Sequence, residues 1–284
     1  IGSLTTITKT YLQPPYYISV KALSMKAPIK VMVCGKGGTG KTAITVLASR
    51  ILSERFKVYI VDSDESNILL PYFLGVEPPK PLIDYIGGKR EEEEMERDLP
   101  SIVGALARAR EGIRLNLLPR EYIATSREGI GLVTIGKVRE YGEGCACPFN
   151  ILARVLLSGL VLEGDEIVLV DTDAGVEHIG RRLEEACDSL LIIVDPTIES
   201  LETALTLKNI AENLNKDSWT IANKVTEDIK EILLEEAAKL NLKVDGIVRF
   251  DRDLYLSCLK REPLKSSIAI DDLREIFGRI WRLV

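Results

Sequence analysis

The sequence predicts an α/β fold in which a mostly parallel central sheet is covered by helices on both faces. Two observations predict it. Short apolar runs of strand length alternate with longer stretches of helical periodicity along most of the chain. The first of these runs is followed at once by a glycine-rich loop and then a helix, the order of a βαβ unit.

The runs that read as buried parallel strands are IKVMVC (29–34), KVYIVD (57–62), EIVLVD (166–171), SLLIIVD (189–195), WTIAN (219–223) and DGIVRF (245–250). They are apolar almost throughout, as strands buried on both faces must be. Weaker strand signals lie at RLNLLP (114–119) and GLVTIG (131–136). Helical patterns occupy 41–54, 149–162, 199–214, 227–240 and 271–284. The charge run EEEEMERD (91–98) reads as the solvated face of a helix or a loop. Residues 1–24 are polar, carry Pro and Tyr and lack helical periodicity. They read as an N-terminal extension, non-native or an arm, ahead of a single domain over 25–284.

Composition narrows the function classes. The chain has 284 residues, 46% hydrophobic and 28% charged, which suits a soluble globular protein and excludes a disordered one. A net charge of −6 gives no general attraction to nucleic acid or anionic lipid. One histidine excludes a three-histidine zinc site within one chain. Five cysteines, an odd and sparse set, argue for a reducing compartment, the cytoplasm, rather than a disulfide framework. No apolar run approaches the roughly 20 residues of a membrane helix, and no signal-peptide pattern opens the chain.

The loop after the first strand reads Cys34-Gly35-Lys36-Gly37-Gly38-Thr39-Gly40-Lys41-Thr42. It satisfies two motifs. Gly35, Gly37 and Gly40 spell the dinucleotide fingerprint G-x-G-x-x-G, with Asp62 placed for a ribose. Gly35 to Thr42 also spell G-x-x-x-x-G-K-T, the phosphate-binding P-loop. Lys41 and Thr42 decide between them. A pyrophosphate diester is held by backbone N–H groups and a helix N-terminus alone. A nucleoside triphosphate needs a cation near its terminal phosphates and a hydroxyl on Mg²⁺. Asp171, at the tip of a buried strand, supplies the acid for the Mg²⁺ shell. The fold is therefore expected to be that of a P-loop NTPase, with ATP/ADP and Mg²⁺ as cofactors.

Lys36, directly after the first glycine, makes the loop the deviant form KGGTGKT. Here the chain resembles the MinD/ParA/nitrogenase-iron-protein class of ATPases over residues 25–284. The resemblance implies a homodimer, in which Lys36 reaches across to the partner's ATP and Lys41 contacts the phosphates. It implies nucleotide contacts from Gly37, Gly38, Thr39, Gly40, Lys41, Thr42 and Ala43. In V-D-S-D-E-S-N, Asp64 matches the acid that orients or activates the attacking water, and Asp62 the acid nearer the Mg²⁺ shell. Thr42 and Asp171 complete that shell. Glu65 stands where the class carries proline. Gly175 lies in the second switch, D-T-D-A-G-V-E-H-I-G-R, where the absence of a Cβ lets its N–H approach a γ-phosphate. His178 of the same stretch reads as a packing residue rather than a ligand. Asn223, at a strand end, matches the asparagine that hydrogen-bonds adenine.

Cys145-Ala-Cys147 precedes a strongly apolar helix. Two thiols at this spacing suit a soft metal. One chain offers two ligands where structural zinc takes about four. A two-fold dimer would bring a second pair, coupling metal binding to dimerisation. G-E-G-C-A-C-P together with D-x-D-A-G-V-E-H-I-G-R is similar to the CooC-type ATPases. That narrower resemblance implies nickel insertion into a client metalloenzyme such as carbon monoxide dehydrogenase, with Ni²⁺ or Zn²⁺ on Cys145 and Cys147 at the dimer interface. The dimer is expected in the ATP- or metal-bound state, with no nucleic-acid partner and no membrane association. Two other readings remain at this point. One is a positioning ATPase of the MinD/ParA type, on membrane or DNA, for which residues 273–284 supply an apolar stripe with arginines between. The same stripe fits a terminal helix packed on the sheet, which the accompanying acids Asp271, Asp272 and Glu275 favour. The other is an iron–sulfur electron-transfer or cluster-carrier protein. Cys34, Cys187 and Cys258 match no ligand spacing and read as small, mostly buried side chains.

Overall fold

In the computed structural model, residues 29–107, 112–138, 147–173 and 182–281 are described. The expectations for residues 1–24, Cys145, Gly175 and His178 lie outside them.

The buried apolar runs become the sheet. Its strands are Ile29–Cys34 (β1), Lys57–Asp62 (β2), Ala124–Thr125 (β3), Gly131–Thr134 (β4), Glu166–Asp171 (β5), Ser189–Val194 (β6), Asp217–Val225 (β7) and Gly246–Arg249 (β8). Their order across the sheet is β3-β4-β2-β5-β1-β6-β7-β8. Every pairing is parallel except β3 with β4. In the middle, β1 lies between β5 and β6, and Val31 and Val33 have no solvent exposure. The register sets Asp62 directly beside Asp171 at the ends of β2 and β5.

Parallel strands need crossovers, and the helices supply them. They are Lys41–Ser53 (α1), Leu70–Leu74 (α2), Leu82–Tyr85 (α3), Glu92–Arg97 (α4), Leu99–Leu106 (α5), Cys147–Gly159 (α6), Ile198–Asn213 (α7), Glu227–Lys239 (α8), Arg252–Lys260 (α9) and Ile268–Trp281 (α10). Strand residues alternate between two cores. Met32 and Cys34 face a layer with Leu152 and Leu156 of α6 and Leu201 and Leu207 of α7. Val31 and Val33 face a layer with Ile44 and Leu47 of α1 and Phe277 and Trp281 of α10. Helices thus cover both faces, as expected.

Up to Trp281, the last described residue, the terminal stripe resolves as packing. Leu273, Ile276, Phe277, Ile280 and Trp281 of α10 are all buried. Trp281 stacks on Phe277 at 4.3 Å and meets Trp219 edge-on at 5.6 Å. Among the described residues, no helix is long and apolar enough to cross a membrane.

One expectation needs correction, and one helix was not anticipated. RLNLLP is not a strand: Leu115–Leu117 form a 3₁₀ turn that ends before Pro119, whose missing N–H and fixed φ suit a turn better than a ladder. Arg252–Lys260, which the helical patterns did not include, is α9. Its N-terminus is capped by Asp251, whose carboxylate accepts from the N–H groups of Asp253 and Leu254 at 2.9 and 3.1 Å. The charge run at 91–98 does contain a helix, α4, which keeps its acids outside and buries Met95.

Candidate functional site

The loops after β1, β2, β5, β7 and β8 meet at the carboxyl edge of the sheet, where an open α/β sheet forms its ligand crevice. A cavity of about 630 Å³ opens there.

The glycine loop forms its floor. Gly35, Gly38 and Gly40 have φ of 139°, 84° and 96°, values that L side chains rarely adopt. At Gly35 the backbone also passes so close to β6 that a Cβ would lie 2.2 Å from the Ile193 carbonyl oxygen. The loop closes on the Lys36 carbonyl, which accepts from the Thr39 hydroxyl at 3.0 Å and from Lys41 Nζ at 3.2 Å. Helix α1 begins at Lys41 with no side-chain cap on its Gly40 N-cap. Its first N–H groups and the positive end of its dipole are thereby left for an anion. Gly37, Gly38, Gly40, Lys41, Thr42 and Ala43 line the cavity, while Thr39 is fully buried beneath it.

Three acids lie beside the loop. Asp171 is fully buried and accepts from the hydroxyls of Thr42 at 2.8 Å and Thr45 at 3.0 Å. Burial pushes its carboxyl up to about 7, with the neighbouring Asp62 adding to the rise. Asp62 is also fully buried, and burial pushes it up to about 6 against the opposing charge of Lys137. Lys137 Nζ sits 2.7 Å from Asp62 Oδ2. Asp64 lines the cavity and folds the chain after β2, its Oδ1 accepting from Ser66 N at 2.9 Å, Ser66 Oγ at 2.7 Å and Asn67 N at 3.0 Å. Asn67 Nδ2 then donates to the Thr42 hydroxyl at 2.8 Å.

These residues fit Mg²⁺. Two buried carboxylates in register, both driven toward the neutral form, lie next to a threonine hydroxyl at the mouth of the loop. Mg²⁺ is typically held by one or two carboxylates and substrate phosphates rather than by an all-protein cage. Among the described residues, no group of three or more His, Cys, Asp or Glu is arranged to hold a metal ion.

The opposite wall is built by β7, β8 and α9. Asn223 is buried, and its Nδ2 donates to the Thr39 carbonyl at 2.8 Å, so it braces the glycine loop from β7. Lys224, at φ 60°, sends Nζ to the Gly38 carbonyl. Phe250 and Tyr255, with ring centroids 5.8 Å apart, supply an apolar edge. Lys36 stands apart on the rim, where it is ion-paired with Glu199 at the start of α7. That hydrogen bond raises its pKa.

Of the cysteine pair, Cys147 is the first residue of α6 and is in disulfide form. Cys34 and Cys187 are buried, and burial pushes both thiols up to about 12, so they behave as small apolar side chains. Cys258 is half-buried.

Sequence reasoning brought Lys41, Thr42, Asp62, Asp64, Asp171 and Asn223 to one place and missed Lys137, Thr45 and Asn67. Lys137 had one available signal: it follows a weak strand whose carboxyl end belongs to the same edge of the sheet. Asn67 closes the V-D-S-D-E-S-N stretch but was given no role there, and Thr45, one turn beyond the glycine motif, had no signal.

Comparison with known proteins agrees with this geometry. The sequence matches the CobQ/CobB/MinD/ParA nucleotide binding domain over residues 30–264. An uncharacterized ATP-binding protein of Methanocaldococcus jannaschii is 38% identical over 254 residues, covering 88% of this chain and 100% of that one. The carbon monoxide dehydrogenase accessory protein CooC of Rhodospirillum rubrum is 31% identical over 256 residues, covering 83% of this chain and 91% of its own. The solved structure of the septum site-determining protein MinD complexed with Mg-ADP from Pyrococcus horikoshii matches with a TM-score of 0.64 at 16% identity, over 90% of this chain and 96% of that one. At that identity the likeness shows the fold, that of a P-loop NTPase.

Proposed function

Because the chain belongs to the CobQ/CobB/MinD/ParA nucleotide-binding domain family, we propose that it is a Mg²⁺-dependent ATPase acting as a homodimeric metallochaperone, which carries Ni²⁺ or Zn²⁺ to a client metalloenzyme. The observation that carries the ATPase part is the cluster at the loop mouth. There the Thr42 hydroxyl bonds Asp171 at 2.8 Å, and Asp171 lies in register with Asp62.

The residues divide the work. The N–H groups from Gly37 to Ala43 and the Lys41 ammonium hold the phosphates. Thr42, Asp62 and Asp171 would hold Mg²⁺, which would neutralise charge on the phosphate oxygens. Asp64 orients a water against the γ-phosphorus. Water adds its oxygen there as the bond to the β–γ bridging oxygen breaks, giving ADP and phosphate. Asn223 lies on the base side and keeps the loop in shape. Lys36 leaves Glu199 to meet the partner's nucleotide, so that closing the dimer completes the site. Two conformations that differ in nucleotide affinity are thereby biased by ATP.

The metal part rests on sequence: the likeness to CooC and the pair Cys145 and Cys147, which two copies would join into a four-thiolate set. Thiolates must be reduced to bind, which fits work in the cytoplasm. Against a membrane-positioning role through the C-terminal helix stands the burial of its apolar face in the core.

The test is metal analysis and gel filtration of reduced protein with ADP and with a non-hydrolysable ATP analogue. About one metal ion per two chains in the ATP-like dimer is expected. A Cys145→Ala/Cys147→Ala variant that keeps its metal sinks the ligand assignment.

A further inference from the structure

We propose that Lys137 is a positioning residue for hydrolysis: it holds the loop after β2 so that Asp64 and Asn67 face Thr42. The inference rests on the ATPase reading above and names a residue that neither the glycine motif nor the switch motifs contain.

An ammonium has three donors. Those of Lys137 reach Asp62, the Asp64 carbonyl and the Asn67 carbonyl. The side chain is 9% exposed, so these contacts are shielded from water. Lys137 therefore clamps both ends of the short turn that carries Asp64. The clamp is backed by two backbone bonds, Ile135 N to Asp62 O and Val138 N to Glu65 O, both 3.0 Å. These run the exit of β4 alongside the loop. From the clamped turn a relay reaches the nucleotide side. Asn67 Nδ2 bonds the Thr42 hydroxyl, and that hydroxyl bonds Asp171, each at 2.8 Å. Lys137 is not on the cavity wall that Asp64, Ser66 and Asn67 line, so it acts through them.

A simpler role would be to neutralise Asp62 and nothing more. That role uses one donor and explains no contact to the two carbonyls. The two roles differ in what they predict. A neutralising lysine affects stability and cation binding, whereas a positioning lysine affects turnover at fixed nucleotide affinity and the order of residues 64–69.

The test uses full-length protein. Lys137→Met and Lys137→Arg are compared with wild type for ATPase kcat and KM, for affinity of a fluorescent ADP, and for amide exchange of residues 64–69 in the ADP-bound state. Lys137→Met is expected to lower kcat by about tenfold or more, since small misplacements of a reacting group are costly in rate. KM and ADP affinity stay within about threefold and exchange at 64–69 quickens, while Lys137→Arg recovers most of the loss. A kcat within about twofold of wild type, or unchanged exchange at 64–69, overturns the proposal. If wild type does not hydrolyse ATP, the ATPase reading fails, and the exchange comparison still decides the role of Lys137. If Lys137→Met does not fold, Asp62→Asn is compared with Asp62→Asn/Lys137→Met, which leaves no buried charge unpaired. A further fall in kcat and faster exchange in the double variant support the proposal, and equality with Asp62→Asn overturns it.

Discussion

Replacing Gly35 by alanine tests whether the glycine loop has the shape described. The backbone there sits at φ 139°, and a Cβ would meet Ile193 O at 2.2 Å, Ile193 C at 3.2 Å and Ile193 N at 3.3 Å. Since real Cβ contacts essentially never fall under 3.0 Å, either the loop or β6 has to move by about 0.8 Å. Ile193 cannot yield easily. It is paired with Ile221 of β7, and its neighbour Ile192 is paired with Cys34 of β1. Two terms add: about 1–2 kcal/mol for an L residue at positive φ and about 1–3 kcal/mol for overpacking against rigid backbone. Gly38→Ala supplies the control, because Gly38 has φ 84° but nothing within 4 Å of an added Cβ. It carries the first term alone. Urea unfolding of the three proteins should place Gly38→Ala about 1–2 kcal/mol below wild type, and Gly35→Ala lower again by about 1–3 kcal/mol. Fluorescent-ADP titration should show the larger loss of affinity for Gly35→Ala. Equal stability of the two variants would refute the close approach to Ile193, and with it the loop geometry.

Three further outcomes are expected. Asn223→Ala removes the 2.8 Å bond to the buried Thr39 carbonyl, so unfolding free energy should fall by about 1–3 kcal/mol and nucleotide affinity with it, measured by urea titration and ADP binding. Asp62 and Asp171 stand at about 6 and 7, above their unfolded values, so their contribution favours the cation-free fold at low pH and is lost as pH rises through 6–7. Mg²⁺ needs both ionised, so its affinity should rise with pH over that window with proton release, read by calorimetry in buffers of different ionisation enthalpy, and level off above about pH 8. Trp281→Ala empties a fully packed site stacked on Phe277 and should cost about 3–5 kcal/mol in urea unfolding; a loss under about 1 kcal/mol would count against the packed terminal helix.

What the sequence displays well is whatever is local or periodic. The P-loop is a run of adjacent residues whose types are dictated by backbone φ and phosphate chemistry, so Gly35 to Thr42 can be read without a fold. Strands β1, β2, β5 and β6 show because burial on both faces demands unbroken apolar runs. Helix α9 was hidden because it is short and polar, burying Leu254 and Ser257, and its start depends on Asp251, whose Oδ2 also accepts from Ser266, Ser267, Ile268 and Ala269. That one carboxylate ties the starts of α9 and α10 together, a relation no window of sequence contains.

The site divides in the same way. Asp62 and Asp171 were each visible as an acid closing an apolar strand, but only the β2–β5 register puts them side by side. Burial raises both pKa values, the neighbouring Asp62 adds to the rise at Asp171, and the pair calls for a cation. Lys137 lies 75 residues from Asp62 and answers part of that demand. In a parallel sheet every strand delivers its carboxyl end to one edge, whatever the length of the crossover between strands. Charges distant in sequence therefore meet at that edge by topology alone. A lysine two or three residues past a buried strand is then worth reading as a possible member of the site even when no motif includes it. Here the strand is β4, which ends at Thr134, and the lysine three residues later fills the gap between Asp62 and the loop that carries Asp64.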